Sequence, residues 1–220
     1  MKIGIIGAGR LGSALAKRLL AGGHEVMISN SRGADAVSAI AAELRCEPGS
    51  ASDAARFGDA VVVTVPLKSF GNLPVREIGD RIVVDTCNYY PARDGYREDL
   101  ETGRETTSGL LQKALPRAKI VKAFNSILSA HLASGGARTS SGALHAVPIA
   151  SDDADAAELV AGLVRDAGFD PVRAGPITDS WKFERARPAY CRPLDANQLR
   201  AALAHTKRSD FVAEGSWRAD

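Results

Sequence analysis

The chain has little cysteine, no long apolar run and no excess of one charge. Of its 220 residues only Cys46, Cys87 and Cys191 are cysteines. They are odd in number and widely spaced, so they form neither a disulfide framework nor a metal-ligand spacing. They read as packing residues, no metal is expected, and a reducing cytoplasm is the expected compartment. No apolar stretch approaches the ~20 residues that cross a bilayer. The N-terminus lacks the layout of a signal peptide, because its apolar run passes straight into a glycine turn. Lys and Arg total 28 against 26 Asp and Glu, a formal net charge of +2. That balance gives no reason to expect nucleic acid or a membrane surface as partner. Internal repeats and low-complexity tracts are also missing. What remains is the make-up of an ordinary soluble protein, 45% hydrophobic and 25% charged. The length suffices for one domain, or one domain and a small appendage.

What is present begins at the first residue. Residues 1–6 read as a short buried strand, and residues 13–21 as a helix. Between them lies Gly7-Ala8-Gly9-Arg10-Leu11-Gly12. In a strand–turn–helix context this is the dinucleotide fingerprint. Gly7 permits the turn, Gly9 lets a pyrophosphate approach the backbone, and Gly12 lets the helix pack close to the strand. Free N–H groups and the helix dipole at Arg10 and Leu11 attract the pyrophosphate. A second strand, 25–29, should end beside the adenosine ribose. An NAD site has Asp or Glu there to hold the 2′-hydroxyl. This chain has Asn30-Ser31-Arg32 instead. An amide, a hydroxyl and a guanidinium can each bond to a 2′-phosphate that a carboxylate would repel. The expected cofactor is NADP(H).

Further along, helices and strands alternate. Helices are expected over 35–44, 51–56, 108–115, 153–167 and 195–205. Strands are expected near 45–47, 60–65, 81–85, 118–124, 145–147 and 171–173. The β-branched runs read as strands covered on both faces. The alternation predicts an α/β fold, a Rossmann-type doubly wound parallel sheet. A Gly/Ser-rich stretch over 134–142 suggests a soft boundary. The NADP-binding domain would then be 1–142, with a small C-terminal α/β appendage over 143–208 completing the substrate cleft. Residues 181–193 read as irregular, and 209–220 as a frayed tail.

In such a sheet, ligands bind beyond the carboxyl ends of the strands. The loops to converge are Val65-Pro66-Leu67-Lys68, Thr86-Cys87-Asn88-Tyr89-Tyr90-Pro91 and Ala123-Phe124-Asn125-Ser126. Val65, Pro66, Leu67 and Asn125 are expected to line the nicotinamide end. Pro66, Asn88, Phe124 and Asn125 are the candidates for positioning the reacting rings. Phe124 and Tyr89 are read either as flat walls of the site or as ordinary packing. Asn88 and Asn125 are read as ring contacts or as turn residues.

Taken in order, these runs, with Asn30-Ser31-Arg32-Gly33, resemble the NADPH-dependent reductases of the deazaflavin coenzyme F-420. The resemblance extends from Met1 to about Pro176. It implies hydride transfer between NADP(H) and the deazaflavin as second substrate, commonly by a homodimer. It also implies that Ser31 and Arg32 hold the 2′-phosphate, with Pro66 and Asn125 flanking the nicotinamide. The NADP domain of some membrane metalloreductases is similar.

Ring-to-ring hydride transfer asks little of side chains, and no obligatory acid–base pair is visible. A donor to the accepting ring would be a backbone N–H, Asn125 or His131. Two other functions stay open. One is an NADPH-dependent reductase of a flavin, quinone or small carbonyl, for which Lys68, Lys122 and Tyr89 are candidate acids. The other is a non-catalytic NADP(H) sensor. Lys182, Arg185, Arg187 and Arg192 lie among Trp181, Phe183 and Tyr190. They read either as a contact for an acidic tail or ring, or as a solvated basic loop.

Overall fold

The computed structural model describes residues 1–135 and 138–218. Among these residues eight strands form one sheet: β1 (Lys2–Ile6), β2 (Glu25–Ser29), β3 (Glu47–Gly49), β4 (Ala60–Val63), β5 (Ile82–Asp85), β6 (Lys119–Lys122), β7 (Ala146–Ala150) and β8 (Asp170–Gly175). The helices are α1 (Arg10–Ala21), α2 (Ser38–Leu44), α3 (Ala51–Phe57), α4 (Val75–Ile78), α5 (Pro91–Asp94), α6 (Glu98–Glu101), α7 (Thr107–Ala114), α8 (Ser129–Ser134), α9 (Ala154–Asp166) and α10 (Ala196–His205). Sheet order is β3-β2-β1-β4-β5-β6-β7-β8. Chain direction is parallel throughout except between β6 and β7, which meet antiparallel at Lys122 and Ala150. The fold is therefore Rossmann-like and mostly parallel. Order reverses between β1 and β4, which leaves a crevice at their carboxyl ends.

The strands are apolar on both faces because both faces are covered. One core joins Ile3, Ile5, Val62 and Val84 to α1 and α9, and a second joins Ile6, Val61, Val63 and Val83 to Ile78, Leu111 and Leu115. Helix starts follow the local chemistry. Thr106 caps α7 through Gly109 N–H, Asp153 caps α9 through Ala156 N–H, and Asp195 with Gln198 forms a capping box on α10.

Element identities follow the sequence pattern, and the boundaries shift for identifiable reasons. The strand expected at 45–47 begins two residues later, because Arg45 closes α2 in a left-handed conformation, φ 59°. The strand expected to reach 124 stops at Lys122, and Phe124 turns the chain with φ 58°. Residues 143–208 add β7 and β8 to the same sheet. The described part of the tail is not frayed. Val212 N–H donates to Ala186 O at 2.9 Å, and the buried Trp217 ring packs edge-on against Tyr190 at 5.3 Å. Burying an indole outweighs the ordering of a short segment. The last two residues of the expected tail, 219 and 220, lie outside the described residues.

His145 enters β7 fully buried, edge-on to Phe169 and to His131. Burial, and next the neighbouring His131, hold its pKa down to about 4. The unfolded chain, with an ordinary imidazole near ~6.5, takes up a proton that the native state refuses. Stability should thus fall as pH drops from about 6.5 to 4, by at most about 3 kcal/mol, and level off below. Urea unfolding midpoints across that window test this, and His145→Leu should remove this part of the slope.

Candidate functional site

The glycine turn is set by contacts between backbones. A Cβ on Gly12 would stand 1.9 Å from Gly7 O. One on Gly7, whose φ is 122°, would stand 2.3 Å from Thr64 O. Helix α1 therefore sits directly on the turn, and the turn on the end of β4. Gly9 differs, since its Cβ position has no atom within 4 Å. It is the N-cap of α1, with no side-chain capping bond and no acid in the first turn. The first-turn N–H groups thus have no partner within the helix, in a field that favours an anion.

A cleft of about 250 Å³ opens here. It gathers Gly7, Gly9, Asn30, Ser31, Val65 and Pro66 from the expected set, and no carboxylate lines it. Asn30 Oδ1 accepts Arg32 N–H at 2.8 Å, an Asx-turn that Gly33, φ 94°, completes. Arg32 stands exposed beside it. Arg10 and Leu11 occupy the first turn of α1, outside the lining of this cleft, and Leu11 packs on the core. Leu67 is buried in the second core and does not reach the cleft. Sequence reasoning missed Ile6 and Ala51, and, on the opposite wall after β4, Thr64, Ser69, Asn72 and Leu73. The signal for two of them was available: Ser69 and Asn72 lie three apart on a 3₁₀ turn after Pro66 and so share a face.

The ends of β5 and β6 converge as expected, but their side chains bond to one another. Asn88 Nδ2 donates to Asn125 O at 2.9 Å. Asn125 Nδ2 donates to Asn88 Oδ1 at 3.2 Å and to Phe183 O at 3.0 Å. This clasp ties both strand ends to the C-terminal segment. Asn125 Oδ1 is buried without a partner among the described residues. Phe124 is a core residue, 1% exposed, and forms no wall of the site. Tyr89 is pinned at its hydroxyl, which donates to Gly95 O and accepts from Arg97 N–H.

Beneath the clasp lies a fully buried ion pair. Lys122 Nζ donates to Asp85 Oδ2 at 3.0 Å, to Cys87 O at 2.5 Å and to Thr107 Oγ1 at 2.7 Å. All three of its protons are engaged. Ser108 Oγ–H and Cys87 N–H complete the Asp85 carboxylate. Lys122 therefore has no proton to offer a substrate, which removes it as a candidate acid. Burial, and next the Asp85 charge, push the Cys87 thiol well up, so it stays protonated. Thr107 passes the network on, donating by N–H and Oγ–H to Glu184 Oε1 at 2.9 and 2.6 Å. The sequence signal was a charge at the end of each of two apolar strands, IVVD and KIVK.

The sheet order and the open glycine cradle define a dinucleotide-binding domain of the Rossmann class. Residues 2–89 match the family model described as NADP oxidoreductase, coenzyme F420-dependent. The hypothetical protein SMa0349 of Sinorhizobium meliloti is similar in structure, with 30% identity and a TM-score of 0.77 over 88% of this chain and 94% of that one. A protein of Arthrobacter sp. FB24, provisionally named an F-420-dependent NADP reductase, gives 25% identity and a TM-score of 0.70 over 82% and 87%. The chain belongs to this family of NADP oxidoreductases. It is also 26% identical over 185 residues to the rat metalloreductase STEAP3, covering 83% of this chain. It spans 47% and 36% of the length of the two curated relatives it matches. Among the described residues no helix is long and apolar enough to cross a membrane, and no group of His, Cys, Asp or Glu is placed to hold a metal.

Lys122→Ala should cost about 3–5 kcal/mol, because it leaves Asp85 charged and unpaired in the interior. Replacing both, as Lys122→Met with Asp85→Leu, should cost clearly less than that single change. Urea denaturation of the three proteins reads the difference.

Proposed function

We propose that this protein transfers a hydride between NADP(H) and a deazaflavin of the coenzyme F-420 type, by direct ring-to-ring transfer. The observation that carries the cofactor half is the cleft from Gly9 to Asn30 and Ser31, open at the glycine and free of carboxylates. Bound there, the cofactor supplies the hydride. The chain's own residues bind and orient. Gly9 and the first-turn N–H groups of α1 hold the pyrophosphate. Asn30, Ser31 and Arg32 hold the 2′-phosphate. Pro66 and the Asn125 loop flank the nicotinamide, and Asn125 Oδ1 is an acceptor for its carboxamide N–H. The Asn88–Asn125 clasp keeps that loop rigid. No general acid is required, which agrees with Lys122 being fully engaged and Cys87 held neutral. The family supports the deazaflavin as acceptor. A cytoplasmic homodimer is part of this reading, which light scattering tests.

The likeness to a metalloreductase favours a second reading, in which NADPH reduces a different acceptor such as a flavin or quinone. Mixing the protein with NADPH and the deazaflavin separates the two. Decay of the bands near ~340 and ~420 nm in equal amounts supports the first. Turnover with flavin or quinone alone selects the second, and none with any acceptor leaves a nucleotide sensor.

Arg32→Glu should weaken NADPH binding on the order of 10- to 100-fold and leave NADH nearly unchanged. Equal losses for both would remove Arg32 from the 2′-phosphate. Gly9→Ala should keep the unfolding midpoint while weakening both nucleotides, since its Cβ enters open space that the pyrophosphate needs.

A further inference from the structure

The wall that faces Asn30 and Ser31 across the glycine cleft is one short 3₁₀ segment, Leu67–Asn72, entered through Pro66. Such a helix has three residues per turn, so side chains three apart stand in columns. Leu67, Phe70 and Leu73 form one column, and all three are buried in the second core. Lys68 and Gly71 form another, which borders a separate hollow beside Tyr96. Pro66, Ser69 and Asn72 form the third, and all three line the cleft. Ser69 N–H donates to Pro66 O at 2.9 Å, and Leu73 N–H to Phe70 O at 3.3 Å. The buried column and these backbone bonds hold the cleft-facing column in place.

The cleft has the make-up of a site for a flat heterocycle. Ile6, Ala51, Val65 and Leu73 give it apolar surface, with Ser69 and Asn72 as the polar groups of its far wall. A few placed polar groups on an apolar lining fix a ligand's orientation. Asn30 Oδ1 accepts Arg32 N–H, and Asn88 and Asn125 bond to each other, whereas the Asn72 amide has no hydrogen bond among the described residues. Position narrows the ligand. Ala51 follows β3, the strand at the edge of the sheet, so the cleft runs from the glycine turn toward that edge, away from the Asn88–Asn125 clasp. That is the adenosine half of a dinucleotide whose pyrophosphate lies on Gly9.

We propose that Asn72 reads the adenine base of the cofactor, its amide laid along the edge that carries N6 and N7. The inference rests on the NADP(H) reading above and names the residue that selects the base. Adenine presents there a donor, the N6 amino group, beside an acceptor, N7. An amide presents the matching acceptor and donor, Oδ1 and Nδ2–H, and so makes two bonds at once. Hypoxanthine carries a carbonyl in place of the amino group and offers two acceptors side by side. The amide then meets one with Nδ2–H and opposes the other with Oδ1. The Ser69 hydroxyl can donate or accept, so it serves either base and selects neither. The apolar lining takes the faces of the ring, which both bases share. Remote from the reacting ring, the contact sets cofactor affinity and selectivity.

Isothermal titration of NADP⁺ and of its hypoxanthine analogue, deamino-NADP⁺, tests this without turnover. The two nucleotides differ only at the base. The wild-type protein should bind NADP⁺ ~10-fold more tightly. Asn72→Ala should weaken NADP⁺ to the level of the analogue and leave the analogue nearly unchanged. Ser69→Ala should preserve the preference. Asn72 is exposed, so its replacement should also leave the urea unfolding midpoint where it was. Equal binding of the two nucleotides by the wild-type protein would overturn the proposal. So would equal weakening of both by Asn72→Ala, the result expected of a contact to ribose or phosphate. Failure to bind either nucleotide would defeat the assignment of the cleft to NADP(H), and this inference with it. Tight binding of both without preference would leave that assignment standing and remove only the role of Asn72.

Discussion

A lysine with no exposed surface organises the molecule. Lys122 and Asp85 face each other across the ends of β5 and β6, both inaccessible to water. Charges so placed persist only if every donor and acceptor is met. Meeting them fixes the Cys87 carbonyl, the first turn of α7 through Thr107 and Ser108, and through Thr107 the Glu184 side chain. One buried pair thereby sets the strand ends and the segment that crosses them. The pair is weak evidence for stability in itself, because its desolvation consumes much of the Coulomb attraction. Its value lies in specifying one arrangement of the loops above it.

Those loops carry the backbone strain of the molecule. Among the described residues four non-glycine residues have positive φ, and Phe124, Ala186 and Cys191 are three of them. Phe124 precedes the clasp residue Asn125, Cys191 N–H donates to Ser126 O, and Ala186 separates Arg185 and Arg187, each stacked on an aromatic ring. The strain lies where the end of β6 meets the returning C-terminal segment. The nucleotide half differs, since its tight places are occupied by glycine and cost little. A relaxed, open cradle built on glycine thus contrasts with a strained wall whose polar groups bond to one another.

Much of the nucleotide half was legible from sequence. The turn, both flanking elements and Asn30-Ser31 stand together in the cleft, because strand, turn and helix follow one another without interruption and local geometry alone joins them. The opposite wall was less legible. Ser69 and Asn72 come from a turn too short to have a periodic signal, and only the pairing of β1 with β4 brings them across from Gly9. Leu67 and Phe124 were misplaced for a related reason. Position after a strand does not say whether a side chain points out of the sheet or back into it, and both point back.

By itself, then, the sequence determined the alternating α/β order, the glycine cradle and the missing carboxylate beside it, all of which depend on neighbours within a few residues. Tertiary structure alone decided the rest. It closed Asn88 onto Asn125, engaged every proton of Lys122, and brought Glu214 to Arg185 across 29 residues. Such contacts depend on where β5, β6 and the returning tail lie in space. Hydrophobic patterning sets which faces are buried, and it leaves polar partners to be chosen by packing.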